Sequence, residues 1–280
     1  MRNAVGSATG RVQLALVTAV LCLALLASGC ASGEDKAAAT SRRSELAAGF
    51  AALDQRQYDE AIAAGGRVLA QDATGPGSAE ALYLQGRAHE QKAKDAPTPS
   101  EAREQLRAAR GVYARALSAS PPQPLAAYVR AGLANVSYFL EDYATAAREW
   151  EAAAEHLTDP DVRAWVLYRA GLSRQRIGNF AEADRHFAQV RQQFPGTEQA
   201  RRAESHGGAT NFHVQVGTYS SRANAEQVIG LLKAQGYSPA RAGDSSGRHI
   251  VAVGPLNTYN QAKALRDRLA GQYPDAKIVP

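Results

Sequence analysis

The chain has 280 residues and a formal net charge of +5, and 58 of its residues are alanine. Aliphatic side chains are too frequent and the charge too small for a disordered polymer, while a 7% aromatic content is low for a large β-sandwich. Its two cysteines, Cys22 and Cys30, exclude a disulfide scaffold and any Cys-rich metal site.

Arg2 and Arg11 are the only charges before residue 30, and both precede an apolar run from Leu14 to Ala27 that is broken only by Thr18. A basic start, a short apolar run and small residues at its end predict a secretory signal over 1–29, the apolar run itself being short for a transmembrane helix. The run closes on Leu26-Ala27-Ser28-Gly29-Cys30, which resembles a bacterial lipobox, although the family's usual Leu three before the cysteine is Ala27 here. The resemblance implies that Cys30 is lipidated and becomes the first residue of a membrane-anchored chain, with 30–43 as a tether. Ala31 follows the cysteine; an aspartate there would imply inner-membrane retention in proteobacterial lipoproteins, so the expectation is an envelope protein on the outer membrane facing the periplasm.

Residues 44–204 are expected to form an all-α array of about four repeats. Tyr58-Asp-Glu-Ala61, Tyr143-Ala-Thr-Ala146 and Phe180-Ala-Glu-Ala183 each place an aromatic three residues before an alanine. Tyr113, Trp150 and Phe187 follow within their units, and Pro121 and Pro195 close two of them. Small residues Gly49, Gly86, Ala134 and Gly171 sit upstream, where paired helices would need to cross closely. The Ala61-type positions, Ala61, Ala109, Ala146 and Ala183, are spaced 48, 37 and 37. The long first interval predicts an inserted loop around Lys94–Pro99. The pattern resembles the tetratricopeptide repeat, a helix–turn–helix that stacks into a solenoid. That resemblance implies a concave groove lined by the first helices, which would carry Phe50, Tyr83, Arg87, Tyr128, Asn135, Tyr138, Trp165, Tyr168 and Arg176. Aromatic and arginine side chains suit a protein-binding groove, so an unidentified protein partner is expected, with packing between repeats as the alternative role for each residue.

Residues 205–210 are small, polar and glycine-containing and predict a linker. Beyond it, 211–280 carry eight Lys and Arg against four Asp and Glu, whereas 31–210 are nearly neutral. Phe212–Tyr219 alternates apolar and polar residues, the mark of a strand with one buried face. A helix over Ala223–Gln235, a short strand after Pro239, a turn at Asp244–Gly247, a strand His249–Val253 stopped by Gly254-Pro255, a helix Tyr259–Gly271 and a last strand Ala276–Val279 complete a βαββαβ, ferredoxin-like order. The opening strand Val214-Gln-Val-Gly-Thr-Tyr219, the Ala/Leu helix after it and Val251-Ala-Val-Gly-Pro255 resemble the SPOR domain, a peptidoglycan-binding module of bacterial envelope proteins. The resemblance implies that denuded glycan strands, those stripped of stem peptides, bind the sheet face that the helices leave open. Strand alternation then assigns His213 and Gln215, with Thr218 at the strand end, and Arg248 and Ile250 beside Ala252 on the third strand. Ile278 corresponds to an apolar position lining the family's groove. Many family members carry arginine where this chain has Ile250.

RNA-recognition domains share the topology but stack bases on aromatics of the central strands. The outward positions here, His213, Gln215, Ile250 and Ala252, hold none, so no nucleic-acid partner is expected. Nor does the chain contain H-E-x-x-H, G-x-S-x-G or a P-loop; no catalytic residue, metal site or cofactor is expected. The fold expectation is multidomain, an all-α tetratricopeptide-repeat solenoid followed by an α+β SPOR domain. The functional expectation is a lipid-anchored protein that binds peptidoglycan and recruits a partner in cell division or wall remodelling. The alternatives are an outer-membrane assembly scaffold or an accessory activator of a wall hydrolase, with the SPOR domain as a tether only.

Overall fold

The structure, a computed structural model, describes residues 33–244 and 246–280. The signal segment 1–29 and the lipidation position Cys30 lie outside the described residues. Among these, the elements in chain order are α1 (Gly33–Asp54), α2 (Tyr58–Gln71), α3 (Ser78–Asp95), α4 (Pro99–Ser118), α5 (Leu125–Phe139), α6 (Tyr143–Ala154), α7 (Pro160–Arg176), α8 (Phe180–Gln193) and α9 (Glu198–His206). They are followed by β1 (Phe212–Tyr219), α10 (Arg222–Ala234), β2 (Pro239–Gly243), β3 (His249–Leu256), α11 (Tyr259–Leu269) and β4 (Lys277–Val279). The chain divides into two compact units between Leu167 and Tyr168, and each is described by itself.

The repeat is written in the backbone as well as in the side chains. Arg56, Glu141 and Gly178 each stand two residues before the aromatic that opens α2, α6 or α8, and all three have positive φ (63°, 67° and 88°). At each turn the next N–H returns to a carbonyl five residues back: Gln57 to Ala52 at 2.8 Å, Asp142 to Ser137 at 2.9 Å, Asn179 to Arg174 at 2.9 Å. This is the left-handed cap that satisfies the last carbonyls of one helix while aiming the next. Ala61, Ala109, Ala146 and Ala183 are all fully buried.

In the first unit, glycines set how closely the hairpins approach. A methyl group at Gly86 or at Gly132 would lie 2.5 Å from the Tyr113 ring, so that ring is held between two side-chain-free helix surfaces. Gly65 lets α2 approach α3: a Cβ there would meet the Ala81 carbonyl at 2.9 Å. The extra residues between the first two repeats are not a long loop. They lengthen α3 and α4, leaving only 96–98 between them, because Pro99 falls at the first helical position, where its missing N–H costs nothing. Thr98 caps that helix, its hydroxyl accepting from the Glu101 N–H at 3.2 Å.

The second unit holds the end of α7, α8, α9 and a four-stranded antiparallel sheet in the order β2-β3-β1-β4, the arrangement of a ferredoxin-like fold. Phe212, Val214, Val216, Val251 and Val253 face α10 and α11 and form the core with Ile229, Leu232, Leu265 and Leu269. β3 runs past Gly254-Pro255 to Leu256, beyond the expected stop. β2 ends its pairing at Val253, so no neighbour on that side needs the N–H that Pro255 lacks. Phe180, at the start of α8, packs against this core, with its ring centroid 5.3 Å from that of Phe212. The Arg176 guanidinium lies 4.0 Å from the centre of the Tyr259 ring. Of the stretch 205–210, Ser205 and His206 belong to α9, and the Gly208 N–H donates to Asp184 at 2.9 Å. The His206 ring rests against Tyr168 and Phe187; burial, with Arg176 and Arg202 nearby, lowers its pKa below the usual histidine value.

Candidate functional site: an open sheet face

The helices cover one face of the sheet, so cross-strand partners decide which side chains share the other. Gln215 stands opposite Ala252 of β3 and Lys277 of β4, and Ala252 stands opposite Ala240 of β2. One row across the sheet therefore reads Lys277, Gln215, Ala252, Ala240. The adjacent row reads Thr218, Ile250, Ala242, and on the other side Val279 and His213 pair.

Strict alternation would place Thr218 with the core, because it is an odd number of residues from Gln215. A bulge prevents this. The register slips between Gln215 and Gly217, so that Val216 and Gly217 together oppose the Ala252–Val251 step, and one extra residue resets the phase. Gln215 and Thr218 then share the open face, and the Gln215 amide donates to the Thr218 hydroxyl at 2.9 Å. That bond fixes the Gln215 amide nitrogen beside Thr218 and leaves its carbonyl oxygen available to a ligand donor. His213 lies across β3 because Gly254 has no side chain; a Cβ there would approach the ring to 2.6 Å. The floor between these groups is small and apolar, formed by Ala240, Ala242, Ala252 and Ile250.

Five of the six residues expected on this surface, His213, Gln215, Thr218, Ile250 and Arg248, stand on the open face or at its edge. Ile278 does not. It pairs with Val214 and packs against the core on the helix side, while its neighbours Lys277 and Val279 face outward. The last strand is three residues long and carries no alternation of its own; its phase is set by pairing to β1, which the sequence does not display. Arg248 precedes β3, and its guanidinium is engaged by Asp244 at 2.7 Å. Asp244 is held in turn by the N–H groups of Ser246 and Arg248, each at 2.9 Å. The backbone hydrogen bond from Arg248, joined by its guanidinium and the Ser246 N–H, lowers the Asp244 pKa below the usual carboxylate value.

The residues expected to line a groove of the array are mostly internal. Tyr83, Arg87, Tyr128, Asn135, Tyr138 and Tyr168 are buried, whereas Trp165 and Arg176 are half-buried. The Tyr83 ring sits between Phe50 and Tyr113, Tyr138 meets Tyr143 edge-on, Trp165 packs perpendicular to Trp150 at 4.7 Å, and Tyr168 contacts Phe187. Asn135 donates to Glu90 at 2.7 Å, and Glu90 also accepts from the Tyr113 hydroxyl at 3.0 Å. In an array whose helices are spaced by alanine and glycine, large side chains on the first helices are drawn into the gaps between hairpins. Among the described residues no cluster of three or more His, Cys, Asp and Glu is arranged to hold a metal ion, and no helix is long and apolar enough to cross a membrane.

Comparison with known proteins agrees with the sheet geometry. Residues 208–280 match the SPOR domain family, so the chain carries a SPOR domain at its C-terminus. A thermophilic TPR protein of Thermus thermophilus is similar over 71% of this chain and 94% of its own, at 15% sequence identity and a TM-score of 0.47. No curated protein matched the sequence.

Proposed function

We propose that this chain is a non-catalytic protein of the bacterial cell envelope that holds peptidoglycan on the open face of its SPOR domain, with glycan strands freed of stem peptides as the preferred ligand. The observation that carries the reading is the Gln215–Thr218 pair above an apolar floor of Ala252, Ala240 and Ile250. A carboxamide held by one bond offers its remaining donor and acceptor to sugar hydroxyls and acetamido groups, and a small-residue floor lets a pyranose ring approach. The helical hairpins are the part that takes a protein partner, in keeping with their tetratricopeptide-like repeat. Cys30 carries the lipid that keeps the protein on the outer membrane facing the periplasm, and the partner belongs to division or wall remodelling.

The test is sedimentation of the full chain with purified sacculi before and after an amidase removes the stem peptides. Stripping should raise binding. Gln215→Ala should weaken it by about 1–2 kcal/mol, the order of a hydrogen bond lost at a desolvated site, without changing thermal unfolding. Equal sedimentation of wild type and variant, or indifference to the amidase, would refute the reading.

A further inference from the structure

Stripping a stem peptide from a glycan strand does more than remove bulk. Hydrolysis of the amide between the sugar's lactyl group and the peptide leaves a carboxylate on an otherwise uncharged chain. A surface that prefers stripped strands therefore gains from a cation placed where that carboxylate would lie. Among the described residues, one arginine and one lysine stand near the open face, and the structure separates them. Arg248 is bound to Asp244 at 2.7 Å, and Asp244 is itself fixed by two backbone N–H groups. Lys277 is different. It stands directly opposite Gln215 on the edge strand β4, about 5 Å away between Cα atoms in an antiparallel pair. It is exposed, and among the described residues no carboxylate pairs with it.

We infer that Lys277 is the residue that reads the carboxylate of a stripped glycan strand and so sets the preference for stripped over peptide-bearing wall. The inference rests on the glycan reading above. While Gln215 orients the sugar, the Lys277 ammonium, on a flexible four-carbon stem, reaches outward from the same row to the acidic side group. Nothing has to be displaced first, whereas Arg248 would have to give up Asp244. With the peptide still attached, the lactyl oxygen is part of a neutral amide, and the ammonium loses its partner. An exposed ion pair of this kind contributes modestly, and hydrogen bonding to the charge strengthens it.

The experiment uses the full chain and three preparations of sacculi: intact, amidase-stripped, and amidase-stripped with the new carboxylates converted to neutral methylamides by carbodiimide and methylamine. Wild type should bind the stripped wall about three- to tenfold more tightly than the methylamidated wall. Lys277→Gln should bind those two preparations equally, Lys277→Arg should keep the difference, and Arg248→Gln should keep it as well. Unchanged thermal unfolding of Lys277→Gln guards against a folding defect. If wild type binds stripped and methylamidated walls alike, or if Lys277→Gln retains the difference, the inference is overturned while the glycan reading stands. Loss of the difference in Arg248→Gln but not in Lys277→Gln would give the role to Arg248 and overturn it too. If wild type fails to sediment with stripped sacculi at all, the glycan reading falls and this inference with it.

Discussion

Tyr113 shows how a single side chain knits the array. Its ring fills the space between Gly86 and Gly132, and its hydroxyl donates to the buried Glu90 carboxylate, which also accepts from Asn135. Burial raises the Tyr113 pKa well above its ordinary value, so the phenol remains a hydrogen-bond donor at neutral pH. Removing the hydroxyl leaves a buried carboxylate short of a partner, which costs more than the bond itself contributed. Tyr113→Phe should therefore destabilise the chain by about 1–3 kcal/mol in urea unfolding; a change within a few tenths would mean that Glu90 finds another donor. The sequence shows the aromatic and the small residues around it, since they recur with the repeat. The bond is hidden, because Glu90 and Asn135 lie on different helices and no spacing links them. For the same reason the sequence leaves open whether Tyr83, Tyr128 and Tyr138 meet a partner or pack between repeats, and the fold buries all three.

Among the secondary-structure elements, the strands illustrate what a period of two can and cannot reveal. β1 has eight residues, and its first half follows from alternation alone; the bulge at Gln215–Gly217 then changes the phase, and only pairing with β3 exposes it. β4 is too short to have a readable phase, which is why Ile278, expected on the open face, turns to the core while Lys277 takes the outward position. The β2–β3 turn is another matter of local chemistry. Asp244 anchors it by accepting from the N–H groups of Ser246 and Arg248 and from the Arg248 guanidinium. Because the folded pKa is depressed, the turn gains stability above the ordinary carboxylate value of about 3.9 and loses it as pH falls through the lower, folded value. A carbon-detected NMR titration of Asp244 should give a midpoint below that of a free aspartate. A midpoint at or above about 4 would show that the turn does not hold in solution.

For the molecule as a whole, the division at Leu167 and Tyr168 cuts within α7, ahead of the stretch 205–210 where composition alone suggests a linker. Glycine and small polar residues do mark a change of direction there, as Gly207 and Gly208 follow α9. Composition cannot reveal that Phe180, a repeat-type aromatic by its position, also covers Phe212 of the sheet. Phe180→Ala should accordingly cost about 1–3 kcal/mol, less than a fully buried phenylalanine, and the loss should register as faster amide exchange in β1. If exchange changes only in α8, the ring serves its own hairpin alone.

The same contact has a mechanical meaning. Gly178, at φ 88°, turns the chain so closely over Asn257 that a Cβ would come within 2.5 Å of its carbonyl oxygen, and Phe180 and Arg176 seat on either side of that approach. A pull on a ligand held by the sheet need not be borne by the backbone of 207–211 alone. Part of the load enters α8 and the end of α7 through packed rings, in compression and shear rather than as tension on a slack peptide. The sheet domain is thereby fitted as a stiff bracket, whose compliance is that of a helical hairpin.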